Sequence, residues 1–286
     1  MDRIYRLMTT PWSVTPGTMA SMRLVLASAL KNGTFHELAD MIRESPVECA
    51  YVSASGIPQF YNDADEPTPP GTVGVIELKG FLYRYKTDRA ISALRDMCAD
   101  PNIIGVVLSM DGPGGEVSGV DELAQVIRAA GKPVVAYVRG MACSAYYWLA
   151  CACQRICCAS GISDIGCVGV YTSYMNESEW YRQQGIDLRD IYADASDLKN
   201  EEYRAIAERD DESLMKERLA KINDAFCEAV AQGRSIAYDP QLPLFRGRTF
   251  MASDALPLGY IDEICPFDTV IEWVRGNSEA RRWNFV

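Results

Sequence analysis

Residues 134–150, VVAYVRGMACSAYYWLA, place a hydroxyl where the pattern of the chain changes. Residues 134–138 are a short β-branched apolar run, which suits a buried strand; Gly140 breaks it, and from Ser144 onward AYYWLA reads as an apolar helix. The first residue of a helix that follows a strand lies at the sheet's carboxyl edge. Backbone N–H groups there lack internal partners and can serve an anion. Ser144 can therefore be an N-cap or a nucleophile. Upstream, residues 103–119, IIGVVLSMDGPGGEVSG, read as a second buried strand that runs into a glycine-rich turn. Gly114 and Gly115 would let the backbone approach a substrate closely, where side chains would block it. A phosphate cradle fits less well, because GPGGEVSG is not G-x-G-x-x-G and a proline separates its first two glycines.

A serine hydroxyl is a poor nucleophile until a base takes its proton. The sequence holds one histidine, His36, far before the nucleophile strand. That turns attention to lysine, which serves as a base only where burial keeps it neutral. On the residues alone Lys199, in ADASDLKN at residues 193–200, reads as a surface lysine; Lys79 is another candidate, and Lys132 sits in the turn Gly131-Lys132-Pro133 and is expected to face water. DLKNEEYR also reads as an ordinary solvated loop. An acyl-transfer site further needs two N–H donors for the tetrahedral oxygen, and the N–H of Ala145, at the helix start, is one.

DGPGGEVSG and RGMACSAYYWLA together resemble the signal peptide peptidase A family of serine peptidases, in particular its phage branch of head maturation proteases of the minor capsid protein C type. Residues 144–150, SAYYWLA, stand where such members have S-A-A-Y-W-L-A. The likeness runs from about residue 71 to 264. It includes residues 250–264, which resemble the closing A-x-x-A-x-x-x-G-L-V-D element, and it continues weakly into TPWSV at residues 10–14, which resembles P-W-A-I-x-P. The resemblance implies an α/β chain of the ClpP/crotonase-like fold, with parallel strands, βαβ crossovers and an N-terminal helical extension. It implies a Ser144–Lys199 dyad, with Gly115, by its place in the PGG motif, and Ala145 as oxyanion donors and Ser196 near the base. Lys199 lies further past Tyr192 than in S-G-x-x-K members and fits the Y-A-x-x-S-T-x-K-N pattern better. The implied activity is endoproteolysis of scaffold, portal or capsid polypeptides during phage head assembly, with no cofactor or metal. Double-length relatives place serine and lysine in different copies of the fold, so a single-copy chain is expected to complete its site between subunits of a homo-oligomer. Two other functions fit the same fold: a crotonase-like acyl-CoA enzyme, and a structural capsid or scaffold component with a degenerate site.

Composition narrows the partners. A net charge of −11 argues against nucleic acid, since little basic surface is available to neutralise phosphates. No run approaches a membrane span and the N-terminus lacks a charged-then-apolar signal pattern, which favours the cytoplasm. Six of the ten cysteines, Cys143, Cys151, Cys153, Cys157, Cys158 and Cys167, crowd together, but their spacing is not that of a structural zinc site. Free thiols acting as small buried hydrophobes are expected instead.

The remaining pattern organises the chain. Residues 1–70 read as an extension with helices over 19–29 and 35–43, closed by the acidic, proline-rich linker 62–71. A peptidase domain over 71–270 and a C-terminal tail over 271–286 are expected. Within the domain the spacing predicts a strand over 73–78 and a helix over 88–98. A second helix, with Val120, Leu123, Ala124 and Ile127 on one face, opens on the capping box Ser118-x-x-Asp121 and is ended by Gly131. Strands over 156–159, 167–172 and 188–193 and a helix over 177–184 follow. A long helix over 213–231 carries the stripe Met215, Leu219, Ile222, Phe226, Val230 and ends at Gly233. Short alternation of strand and helix argues for parallel strands with right-handed crossovers.

Overall fold

A computed structural model describes residues 12–14, 47–53, 58–60, 68–174, 176, 178–187 and 189–283. His36, the two helices expected over 19–29 and 35–43, and residues 62–67 of the acidic linker lie outside the described residues.

Three long strands form the centre: β4 (Thr72–Lys79), β5 (Ile103–Gly112) and β7 (Val134–Cys143). They are parallel neighbours in the order β4-β5-β7. Helix α1 (Arg84–Ala99) makes the first crossover, and α2 (Val120–Arg128) makes the second, after the short strand β6 (Gly114–Glu116). These strands are mostly apolar because both faces are covered, with the charged residues Glu77, Lys79, Asp111 and Arg139 confined to their carboxyl-terminal halves. Ile76, Leu78, Leu108, Met110, Ala136 and Val138 face the helix-side core, whereas Val73, Val75, Val107, Val135 and Tyr137 face a second cluster. Val120, Leu123, Ala124 and Ile127 are buried on α2, as their spacing requires.

Beyond this centre β7 is followed by α3 (Ala145–Ala152), β8 (Arg155–Cys158) and β9 (Asp164–Gly166). The sheet forks along β7: its first half pairs with β8 and its last residues, Met141, Ala142 and Cys143, pair with β9. An exposed region follows, with α4 (Ser178–Gln183), a 3-10 turn at Asp194–Ser196 and α5 (Glu201–Arg209), before the long helix α6 (Ser213–Arg234). The chain closes through β10 (Thr249–Met251), the short helix α7 (Ala252–Ala255), β11 (Glu263–Ile264) and α8 (Phe267–Trp283). On the far edge, β2 (Glu48–Val52) runs antiparallel to β4, and β3 (Pro58–Phe60) antiparallel to β2.

Several expectations need correction. The strand of Val134 does not stop at Gly140 but continues to Cys143. Gly140 is a packing glycine, since a Cβ there would lie 2.6 Å from Asp111 Oδ1. No Ser118 capping box forms: Gly119, at φ 86, is the N-cap of α2, with no side-chain cap bond. The strand expected over 167–172 is displaced to Asp164–Gly166, because Cys167 (φ 55) and Gly169 (φ 159) turn the chain out of the ladder. Residues 189–193 form no strand. Gly233 does not terminate α6. It lies inside the helix, where a Cβ would come within 2.0 Å of the Cys151 carbonyl oxygen, and so it lets α6 close onto α3. Residues 271–283 are no tail, because α8 crosses that boundary, burying Ile271 and Val274, and Val274 packs so tightly on Gly105 that a Cβ there would meet it at 2.5 Å.

Candidate active site

Ser144 occupies the one-residue corner between β7 and α3, with φ 58 and ψ −119. An L-residue avoids that region, which glycine enters freely, so the corner stores strain. Two backbone bonds hold it: the Ser144 N–H donates to Gly166 O at 2.7 Å, and its carbonyl accepts from the Trp148 N–H at 3.0 Å to start the helix. The hydroxyl makes no cap bond to α3. It points instead toward Gly169 O, at 3.4 Å, so capping does not account for a serine here. The helix behind is apolar and wholly buried, with Trp148 stacked on Phe226 of α6 at 4.7 Å.

The glycine-rich turn lies against this corner, with α3 packed on β6. Gly115 is bridged to Leu82, whose N–H donates to Gly114 O at 2.9 Å and whose carbonyl accepts from the Glu116 N–H at 2.8 Å. A Cβ on Gly115 would sit 1.9 Å from the Leu82 oxygen. The glycine is therefore required by its neighbour strand segment alone, whatever else approaches it. Gly112 has a similar cause, since its Cβ would meet the Tyr146 ring at 2.2 Å. Glu116 is buried and accepts the Arg84 N–H at 2.9 Å, tying the turn to the start of α1. Ala145 is the first residue of α3, and so its N–H has no i−4 carbonyl within the helix.

The lysines fall in distinct places. Lys199 is exposed between the 3-10 turn and α5, its N–H donating to Ser196 O at 3.0 Å, and its side chain makes no hydrogen bond with Ser144. Ser196 is likewise exposed. Lys79 pairs with Glu77 at 2.5 Å. Lys132 does not face water as expected: its ammonium donates to the Met97 and Asp100 carbonyls and so closes the C-terminal end of α1. The sequence reading missed Lys86. It is buried, its Nζ donates to Lys79 O at 2.6 Å, and burial lowers its pKa. Nothing in RYKTDRA distinguishes it from a solvated helix lysine.

The crowded cysteines are buried free thiols in the structure. Burial pushes Cys151, Cys157 and Cys158 up to about 12. Cys157 does meet Glu263 and Cys265, their ligand atoms all within 4.8 Å of one another, a grouping that no local spacing could disclose. Its carboxylate already has a cation, because Arg155 donates to Glu263 at 2.8 Å while lying over the Trp273 ring. No helix among the described residues is long and apolar enough to cross a membrane.

A serine on a strained strand-to-helix corner, with a free helix-start N–H and a glycine turn beside it, has the layout of a nucleophile elbow in a mixed α/β protein with a parallel sheet. Comparison with known proteins gives the family. The model of peptidase family S49 matches residues 127–281, more than half of the chain, and the chain belongs to that family. It is similar to the head-tail preconnector protein GP5 of Enterobacteria phage P21, 28% identical over 179 residues that cover 62% of this chain and 35% of that one. A putative protease of Methanocaldococcus jannaschii is 29% identical over 192 residues, 65% of this chain and 60% of that one. Capsid assembly protease C of Escherichia phage lambda is 25% identical over 194 residues, 67% of this chain and 44% of that one. The match thus spans between 35% and 60% of the length of these relatives.

Proposed function

We propose that this chain is a serine endopeptidase of the ClpP/crotonase-like fold that cleaves scaffold, portal or capsid polypeptides during phage head assembly in the host cytoplasm. The observation that carries the reading is the Ser144 corner, where a strained backbone holds a serine whose hydroxyl turns toward Gly169 O and does not cap the helix. Ser144 Oγ attacks the scissile carbonyl carbon, and the Lys199 amine takes its proton. The Ala145 and Gly115 N–H groups receive the developing oxyanion. Collapse of the tetrahedral intermediate breaks the C–N bond, and Lys199 returns the proton to the leaving amine. Water then repeats the sequence to release the acyl group.

Lys199 and Ser144 are brought together, in this reading, by a second copy of the chain. The supports are the exposure of Lys199, which leaves it without the burial a lysine base requires, and the apolar surface around it. Ile191 is 94% and Leu198 68% exposed on the same arm, a pattern that marks an interaction surface. The phage relatives' names, a capsid assembly protease and a head-tail preconnector, support the substrate class. Fluorophosphonate labelling followed by mapping of the modified residue tests the nucleophile, and label on any residue other than Ser144, or none, defeats it. The shared dyad is tested by co-refolding Ser144→Ala with Lys199→Ala, each inactive alone. Activity should reappear in mixed oligomers, whereas mixed oligomers that stay silent would place the dyad within one chain.

A further inference from the structure

Among the described residues, one contact ties the N-terminal region to the candidate site. Strand β1 (Trp12–Val14) pairs antiparallel with β6, in the register Trp12↔Glu116, Ser13↔Gly115, Val14↔Gly114. Two residue stretches far apart in sequence thus meet on the glycine-rich turn beside Ser144. The polarity of that pairing follows from the other edge of β6. There Leu82 takes the Gly114 carbonyl and the Glu116 N–H. Alternate residues of a strand direct their hydrogen-bonding groups to opposite edges, so the N–H and C=O of Gly115 face β1. Ser13 and Gly115 then form the closely bonded pair of the ladder, exchanging both bonds, and the N–H groups of Trp12 and Val14 point away. The backbone carbonyl of Ser13 therefore sits on the Gly115 N–H, the donor assigned above to the oxyanion.

We propose that Trp12–Val14 is an internal occupant of the peptide-binding edge of β6, which must leave before a polypeptide can pair there. This inference rests on the proposed function, in which the Gly115 N–H of β6 receives the scissile carbonyl oxygen and a substrate strand therefore lies along β6. Two further observations fit it. Ser144 has no exposed surface in this conformation, so acylation by a polypeptide requires something to move. The ladder is also built to be weak: it is three residues long, and Pro11 and Pro16 can donate no bond on either side of it. A tethered strand of this kind competes through its effective concentration rather than through intrinsic affinity. Incoming peptide binds with an apparent dissociation constant raised in inverse proportion to the open fraction.

The test uses the full chain in the inactive Ser144→Ala background, with a fluorescein-labelled peptide copying residues 9–16 and fluorescence anisotropy as readout. Ser13→Pro removes the N–H that donates to Gly115. Val14→Pro is the matched control, because the Val14 N–H faces away from β6 and an edge strand tolerates proline at such a position. Ser13→Pro should bind the peptide roughly tenfold more tightly than the parent, the scale of one lost ladder bond, with Val14→Pro matching the parent. Hydrogen exchange at residues 113–117 should accelerate in Ser13→Pro alone. If Ser13→Pro does not fold, Ser13→Gly loosens the strand while keeping the N–H, and it should tighten binding in the same direction but less. Equal affinity in all variants, with the Gly115 segment deprotected in Ser13→Pro, overturns the internal occupant and leaves the peptidase reading standing. Unchanged protection of that segment overturns it as well. Failure of every variant to bind the peptide overturns the internal occupant, while fluorophosphonate labelling of Ser144 decides the peptidase reading separately.

Discussion

Replacing Ser144 by glycine should make this protein more stable than replacing it by alanine. Both changes delete the hydroxyl, and so the loss of its 3.4 Å approach to Gly169 O cancels in the comparison. The backbone at φ 58, ψ −119 remains. A Cβ held in that region costs of order 1–3 kcal/mol, which alanine retains and glycine sheds. Against this, glycine loses roughly 0.5–1 kcal/mol more chain entropy on folding. The balance is about 1 kcal/mol in favour of glycine. An unfolding entropy near 2.1 cal/mol/K per residue gives about 0.6 kcal/mol/K for 286 residues, and the expected difference in Tm is then about 2 °C. Calorimetry at matched protein concentration reads it, since assembly shifts Tm by mass action. Neither variant should react with a fluorophosphonate. A Ser144→Gly protein that melts at or below Ser144→Ala would show that the corner is unstrained, and the argument from strain to a nucleophile would lose its footing.

Other consequences are as direct. Gly233→Ala puts a Cβ where the Cys151 carbonyl oxygen stands 2.0 Å away, so it should destabilise by about 2 kcal/mol despite alanine's better helix propensity; a thermal melt that rises would refute the close approach of α6 to α3. Burial alone would raise the Asp262 carboxyl, but the Arg234 guanidinium, bidentate at 2.9 Å, and the Ile156 N–H at 2.7 Å hold it below its ordinary value. A depressed folded pKa contributes stability above the unfolded value of about 3.9 that is lost as pH falls through the folded one. Asp262→Asn should therefore cost about 2 kcal/mol at pH 7 and nothing once pH is below both values; an equal cost at both extremes in urea titrations contradicts the linkage. The buried thiols of Cys143, Cys151, Cys153, Cys157, Cys158 and Cys167 should react with Ellman's reagent at pH 8 only on unfolding, with or without chelator, and rapid reaction of all six in the native protein would show them accessible.

What the sequence disclosed and what it concealed divide along a physical line. Strands β4, β5 and β7 were legible because both faces of their amino-terminal halves are buried, and runs rich in Val and Ile suit such positions. The stripe of α2 was legible for the equivalent reason at helical period. Glycines and lysines were misread whenever their meaning lay with a partner remote in the chain. Gly140 looks like a strand breaker until Asp111 is found beside it, and Gly233 looks like a helix stop until Cys151 is. Lys132 looks solvated until the carbonyls ending α1 arrive to receive it. Residues 188–193 carry a strand-like pattern, yet pairing depends on a neighbouring edge, and residues 189–193 form no strand with any edge among the described residues.

The candidate site shows the same division at finer scale. Ser144 and the glycine turn each announce themselves locally, one through a change of period, the other through composition. Their juxtaposition comes from β5 and β7 lying side by side in parallel, which sends both carboxyl ends to the same edge of the sheet. The Ser144 hydroxyl and the backbone N–H groups of the glycine turn are thus brought to one edge by topology, on elements rigid enough to hold them. Lys199 is on an exposed arm outside that framework, and β1 reaches β6 through a three-residue ladder. The proposed nucleophile and oxyanion donors are set by the core, while the proposed base and the proposed occupant of the substrate edge are attached weakly. On the readings proposed here, assembly and release of the N-terminal strand can then govern activity without disturbing the sheet that carries Ser144.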